Sequence, residues 1–171
     1  MRIRPETKND FDNIYNFIKA TFETAKVKDG HEQDFINNTR YSDKYIPELA
    51  LIAEKNNEII GYIMISKTYV EKNDKKFEVL YLAPVSVLLE YRNQGIASKL
   101  INESFKLAKK LGFKSVFLAG DPTYYNRFGF VPTINHDIKC SIPVPEELYK
   151  NIMVCELVPD ALKGISGIVK M

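Results

Sequence analysis

Arg92, Gly95 and Ala97 stand in the segment Leu88-Leu89-Glu90-Tyr91-Arg92-Asn93-Gln94-Gly95-Ile96-Ala97. An apolar run ends just before it and a helical stripe begins just after it. The first turn of a helix carries N–H groups with no intrahelical partner and the positive end of the helix dipole. Gly95 has no side chain to hold an anion off, Ala97 has very little, and Arg92 adds a charge at the mouth. That combination suits a pyrophosphate. Two other phosphate-binding patterns are excluded: no G-x-G-x-x-G follows a strand, and no G-K-[ST] occurs. On these residues alone, the plainer reading that Gly95 only eases the chain into a helix stays open.

Pro84 falls inside the apolar run Leu80-Tyr81-Leu82-Ala83-Pro84-Val85-Ser86-Val87. Proline cannot donate to a sheet ladder and is usually confined to edges or bulges. A central strand distorted there would free backbone groups of Val85, Ser86 and Val87 for an extended ligand. An edge strand without a ligand explains Pro84 equally well. A third segment, Tyr124-Tyr125-Asn126-Arg127-Phe128-Gly129-Phe130, puts two aromatics on a short helix with Gly129 as its stop. Taken alone, its aromatics read as core.

The elements that must position these residues follow from periodicity and end signals. A short strand starts at Ile3. Thr7 and Asp10 resemble a capping box, and Phe11, Ile14, Ile18 and Phe22 recur at helical spacing, so a first helix reaches about Thr24. Lys26–Gly30 is a break, and His31–Arg40 forms a weaker helix with Phe35 and Ile36 as its apolar contacts. Leu49–Ala53 and Ile59–Tyr69 read as strands around the turn Lys55–Glu58. The charge run Glu71–Lys76 reads as a solvated hairpin loop. Phe77–Leu89 is a long strand, apolar on both faces and so central. Ala97, Leu100, Ile101, Ser104, Ala108 and Leu111 line one face of a helix that Gly112 caps. Ser115–Ala119 follows and should run parallel to the long strand, because a helix crosses between them. Asp121-Pro122 opens the short helix as cap and first residue. Phe130-Val131 and Met153–Leu157 are further strands. The order makes a mixed α/β, or α+β, sandwich.

The 171 residues suit a single domain over 1–171. Lys and Arg number 24 against 22 Asp and Glu, a formal charge of +2. That near-balance argues against a surface built to grip nucleic acid or an anionic membrane. Cys140 and Cys155 share no C-x-x-C spacing and read as buried thiols in a reducing compartment, with a bridge between them left open. His31 and His136 are isolated, so no metal is expected. The polar N-terminus and the lack of a spanning apolar stretch lead to the expectation of a soluble, cytoplasmic chain.

Together, in this order, Arg92-x-x-Gly95-x-Ala97 after an apolar strand and Tyr125-x-x-x-Gly129-Phe130 after the next strand resemble the GNAT superfamily of acetyl-CoA-dependent N-acetyltransferases. Gly120-Asp121-Pro122-x-Tyr124-Tyr125-x-Arg127-Phe128-Gly129-Phe130 is similar, more narrowly, to the YhbS-type acetyltransferases. So is the tail, with Tyr149, Met153-Val154-x-Glu156-Leu157 and Ala161-Leu162-x-Gly164-x-x-Gly167-x-Val169. One departure is Ala97 where many members carry glycine.

The resemblance implies the GNAT acyl-CoA N-acyltransferase fold, a mixed central sheet with splayed parallel strands flanked by helices. It implies acetyl-CoA as acyl donor, with the pyrophosphate on Arg92, Asn93, Gln94, Gly95, Ile96 and Ala97, and the pantetheine arm along Val85, Ser86 and Val87. It also implies that Tyr125 contacts the cofactor and is the general acid for the leaving thiolate. By the same analogy, the Val85 N–H is the oxyanion donor. Tyr124 is expected to pack or to line the substrate pocket, and Asp121 is sufficiently explained as a helix cap. Glu78, Glu90 and His31 are conceivable bases and none stands out. The implied reaction is direct attack by an amine in a ternary complex, because neither cysteine lies in the motif. A non-catalytic acyl-CoA-binding module would keep Arg92–Ala97 without needing Tyr125. A Rossmann-type nucleotide binder is disfavoured by the antiparallel strands that precede the one crossover. The acceptor is a small-molecule or peptide amine that the sequence does not identify, and the last strands are candidates for pairing in a homodimer.

Overall fold

The computed structural model describes residues 1–26 and 28–171. The break expected over Lys26–Gly30 includes Val27, which lies outside the described residues. In chain order the elements are β1 (Arg2–Pro5), α1 (Phe11–Glu23), α2 (Glu32–Arg40), β2 (Ala50–Lys55), β3 (Glu58–Lys72), β4 (Lys75–Val87) and α3 (Ile96–Lys110). They continue with β5 (Ser115–Ala119), α4 (Pro122–Tyr125), β6 (Val131–Pro132), β7 (Ile138–Cys140), β8 (Ile152–Glu156) and β9 (Gly167–Val169). The fold is mixed α/β, with both parallel and antiparallel strand pairs. It forms two compact units, Met1–Ser66 with Ala83–Leu107 and Lys67–Leu82 with Ala108–Met171.

In the first unit, β1 pairs antiparallel with β2, and β2 with β3. The helical stripe of α1 buries Ile14, Phe17 and Ile18, and α2 adds Ile36. These pack on Ala50 and Ile52 of β2 and on Tyr62 and Met64 of β3. Of the two apolar contacts expected for α2, Ile36 is buried whereas Phe35 is 40% exposed. Besides Ile36, α2 buries Gln33, Thr39 and Arg40, and Arg40 is the one the sequence analysis left as a helix end. Its guanidinium grips the buried Glu6 carboxylate, with Nε to Oε1 at 2.9 Å and Nη2 to Oε2 at 2.6 Å. Tyr45 and Tyr62 donate to the same carboxylate at 2.8 and 2.9 Å, and the Phe11 ring lies 3.9 Å from the guanidinium carbon. A buried charge needs this degree of pairing to be tolerated.

In the second unit, Asn73 and Asp74 alone make the turn between β3 and β4, both at positive φ. The expected charged loop is therefore mostly strand, with its charges on the solvent side. β4 runs parallel to β5 with Leu80 opposite Val116 and Tyr81 opposite Phe117. β5 pairs antiparallel with β8, and β8 with β6. β9 pairs antiparallel with β3 and parallel with β7. Val70, Val79, Phe117, Ile138, Val154, Leu162 and Val169 form the core here. β7 and β9 escaped the sequence analysis because three-residue strands carry too little periodicity. Leu111, assigned to the buried stripe, is 45% exposed; it follows the last residue of α3, where the chain turns out through Gly112 at φ +88°. Both cysteines are free thiols. Among the described residues, no helix is long and apolar enough to cross a membrane.

Candidate active site

The loop before α3 is held from both ends. Leu88 N–H donates to the Ile60 carbonyl at 3.1 Å. A single 3₁₀ turn, Leu89–Tyr91, then leads to Arg92. Arg92 does not simply present a charge. Its Nε donates to the Val87 carbonyl at 3.1 Å, and its Nη2 to the Thr21 carbonyl and Thr24 Oγ1 at 3.3 and 3.1 Å. The guanidinium thus ties the loop to the end of β4 and to the C-terminal turn of α1. Asn93 and Gly95 sit at positive φ, +61° and +76°, a conformation open to Asn and Gly at little cost. Gln94 Nε2 closes the turn on the Glu90 carbonyl at 3.0 Å. A Cβ on Gly95 would meet no atom within 4 Å, so the space over this turn is open. Ile96, buried, and Ala97, half-buried, begin α3. A Cβ at Gly61 on β3 would stand 3.0 Å from Ile96 Cγ2 and 3.1 Å from Leu100 Cδ1. The missing side chain at Gly61 is what lets the first turns of α3 press onto β3. The sequence analysis passed over it, because a lone glycine within a strand signals close approach without naming the partner.

Val85, Ser86 and Val87 form the end of β4, the first two half-buried and Val87 buried. The Ala83–Pro84 bond ahead of them is cis. These residues and Arg92–Ala97 all belong to the first unit, and Tyr125 belongs to the second.

Tyr125 ends α4. Asp121 caps that helix, its Oδ1 accepting from Thr123 N–H at 2.9 Å, with Pro122 as first residue. The Tyr125 ring meets Tyr124 edge-on at 5.0 Å between centroids and Phe130 at 5.7 Å. It fills the space over Gly120, where a Cβ would lie 2.4 Å from Cε2. Burial pushes the phenol up to about 12, with smaller contributions from Tyr124 and Tyr81. The proton therefore stays on Tyr125 at every physiological pH, and the group is a permanent donor. Tyr124 is packed between Tyr125 and Arg127, whose guanidinium carbon lies 4.5 Å from its ring. Gly129 ends the segment at φ +89°, and Cys155 Sγ lies 3.4 Å from where its Cβ would be. Burial raises the Cys155 thiol to about 11, so it is no nucleophile at neutral pH.

Tyr81 was missed by the sequence analysis. It is the last residue of β4 in register with β5, opposite Phe117, while β5 runs on to Ala119. Burial raises its phenol, and Cys140 adds to the effect. Tyr81 in turn acts on Tyr125. Its only sequence signal was a tyrosine in an otherwise apolar strand. Of the conceivable bases, Glu78 and Glu90 are exposed. His31 is also exposed, with Nδ1 3.2 Å from Asp34 Oδ2.

A model of the acetyltransferase (GNAT) family matches residues 11–130. The chain is 32% identical to the uncharacterized N-acetyltransferase YhbS of Escherichia coli K12, over 99% of this chain and 95% of that protein. It is 31% identical to N-alpha-acetyltransferase 30 of Schizosaccharomyces pombe over 97 residues, 53% of this chain and 63% of that one. Among solved structures, E. coli YhbS in complex with CoA matches with a TM-score of 0.84 at 28% identity, over 99% of this chain and 88% of that one. A GNAT family acetyltransferase from Brucella melitensis in complex with acetyl-CoA matches with a TM-score of 0.77 at 25% identity, over 98% of this chain and 93% of that one.

Proposed function

The chain belongs to the GNAT acetyltransferase family, and from that premise we propose that it is an N-acetyltransferase that moves the acetyl group of acetyl-CoA to an amine by direct attack within a ternary complex. The CoA and acetyl-CoA held by the two similar structures support the donor. So does the open turn at Gly95, where the first N–H groups of α3 and the helix dipole favour a diphosphate. The family model takes in residues of both units, which supports treating 1–171 as a single N-acetyltransferase domain.

Acetyl-CoA supplies an activated thioester. In this reading Asn93–Ala97 hold its phosphates, and Arg92 keeps that loop in shape. Val85 and Ser86 offer backbone groups to the pantetheine arm, and Val87 N–H lies in the same run. The Val85 N–H donates to the carbonyl oxygen as negative charge develops on it, a contribution worth roughly 10²–10³ in rate for one good donor. The amine nitrogen forms the C–N bond as the C–S bond breaks. Tyr125 donates its phenolic hydrogen bond to the departing sulfur. Full transfer from a phenol near 12 to a thiolate near 8.5 would be uphill by about 5 kcal/mol. Tyr125 therefore works first as a hydrogen-bond donor that stabilises developing charge, and as an acid only while the bond is breaking. The attacking amine sheds its proton to solvent.

The observation that carries this reading is the half-buried Tyr125 ring seated over Gly120 at the end of β5, its phenol kept protonated by its surroundings. Calorimetry with CoA and thiol release from acetyl-CoA over a panel of amines test it. Tyr125→Phe should lower turnover roughly 10²-fold with CoA affinity retained. Unchanged turnover in that variant would put Tyr125 outside the mechanism, whereas CoA binding with no turnover on any amine would leave a binding module.

A further inference from the structure

The second unit contains a cavity of about 230 Å³ that the mechanism above does not use. It forms where the chain has little regular structure to fill space. Between β6 and β8 lie two 3₁₀ turns, Thr133–His136 and Glu146–Asn151, the three residues of β7, and a stretch with Pro143 and Pro145. Ile138 and Ile152 are buried walls, at 0% and 6% exposure, whereas Ile134, Ile142 and Tyr149 are 50%, 51% and 41% exposed and edge its mouth.

The register of β8 with β5 sets this cavity apart from the reacting groups. Leu118 pairs with Met153 and Ala119 with Ile152, and side chains alternate faces along a strand. A Cβ on Gly120 would meet both the Tyr125 ring and Leu118 Cδ1, which puts that ring on the Leu118 face. Ile152 points to the opposite face, and the cavity opens there.

All but one of the polar side chains on the wall have a partner or water. Lys139 and Tyr149 are exposed and solvated. Cys140 Sγ accepts from the Ile142 N–H at 3.4 Å and donates to Met171 Sδ at 3.6 Å. Thr133 is 1% exposed, and its hydroxyl has no hydrogen-bond partner among the described residues. An unpaired buried hydroxyl costs free energy that a ligand atom can recover. Among the described residues no carboxylate lines the cavity, so a cation finds no counter-charge there. An anion would have to leave water for aliphatic walls. A neutral ligand meets neither objection. For scale, an engineered apolar cavity of about 150 Å³ takes up benzene, so this one has room for a substituted ring.

We propose that this cavity is a second ligand site, which takes a neutral, compact aromatic molecule bearing one hydroxyl, with that oxygen on Thr133 and the ring among the isoleucines. The site is independent of acetyl transfer, and its occupancy is read with no acyl donor or amine present.

The test uses p-cresol, toluene, benzoate and benzylammonium as probes, each a single ring of similar size, followed by ligand-observed NMR on the full chain. Thr133→Val removes the hydroxyl and keeps the side-chain shape. Ile142→Trp fills the mouth from an exposed position, so it reports even where Thr133→Val fails to fold. Wild type should bind p-cresol and toluene more tightly than benzoate or benzylammonium. Thr133→Val should move the p-cresol-to-toluene affinity ratio roughly tenfold toward toluene. Ile142→Trp should weaken both neutral probes roughly tenfold or more. An unchanged ratio in Thr133→Val, unchanged p-cresol affinity in Ile142→Trp, tighter binding of either charged probe, or no binding of p-cresol to wild type overturns the proposal.

Discussion

The Tyr125 ring occupies the space that a side chain at Gly120 would need: a Cβ there would stand 2.4 Å from Cε2 and 2.7 Å from Cδ2. Gly120 is thus the floor that sets the height of the phenol. Gly120→Ala must displace the ring or the backbone, with an overpacking penalty of about 1–3 kcal/mol. Turnover should drop at least about tenfold, while CoA affinity, set elsewhere, holds. Parallel measurement of kcat by thiol release and Kd by calorimetry checks this; an unchanged kcat would show that the ring's position is not critical.

A phenol raised to about 12 does not ionise in the working range. The pH–rate profile should therefore show no alkaline fall assignable to Tyr125 below about pH 11. An alkaline limb near pH 10 that disappears in Tyr125→Phe would contradict the burial argument.

Arg92 donates to two backbone carbonyls and a hydroxyl, a fork geometry that lysine cannot copy. Arg92→Lys should then behave like Arg92→Ala, each weakening CoA by roughly tenfold or more. Near-wild-type affinity in Arg92→Lys would mean that charge alone is what the loop requires.

The Glu6–Arg40 pair is fully enclosed, with 0% and 1% side-chain exposure. Removing one partner strands the other charge in the core. Arg40→Leu should destabilise the protein by about 3–5 kcal/mol, seen as a lowered urea midpoint. A midpoint within experimental error of wild type would mean that water reaches Glu6.

Tyr45, Tyr62, Tyr81 and Tyr125 all have phenols raised above their ordinary value, burial leading in each case. The folded chain holds these protons more tightly than the unfolded chain. Their contribution to stability is complete below about pH 10 and is lost as pH rises through the folded values. Urea melts at pH 8 and pH 11 should show that loss, with a smaller change in Tyr62→Phe. Equal sensitivity of that variant would place the alkaline effect on other groups.

The motifs at Arg92–Ala97 and Tyr125–Phe130 were legible because each coincides with a helix end, where chain geometry is written in a few adjacent residues. Gly95 and Gly129 at positive φ and Asp121 as a cap are local matters. The tether made by Arg92 was not legible, since two of its partners, Thr21 and Thr24, are 71 and 68 positions away. Gly61 and Gly120 looked like ordinary glycines until the atoms pressing on them were known.

The sequence by itself determined where the longer helices and strands form and that a glycine turn opens α3, because period, caps and glycine conformation depend on neighbours in the chain. Only the tertiary structure decided that Arg40 is buried on Glu6, that Tyr81 is set opposite Phe117 across β4 and β5, and that an isoleucine-walled cavity opens beside β8. Those facts depend on which distant residues exclude water from one another, and no local pattern records that.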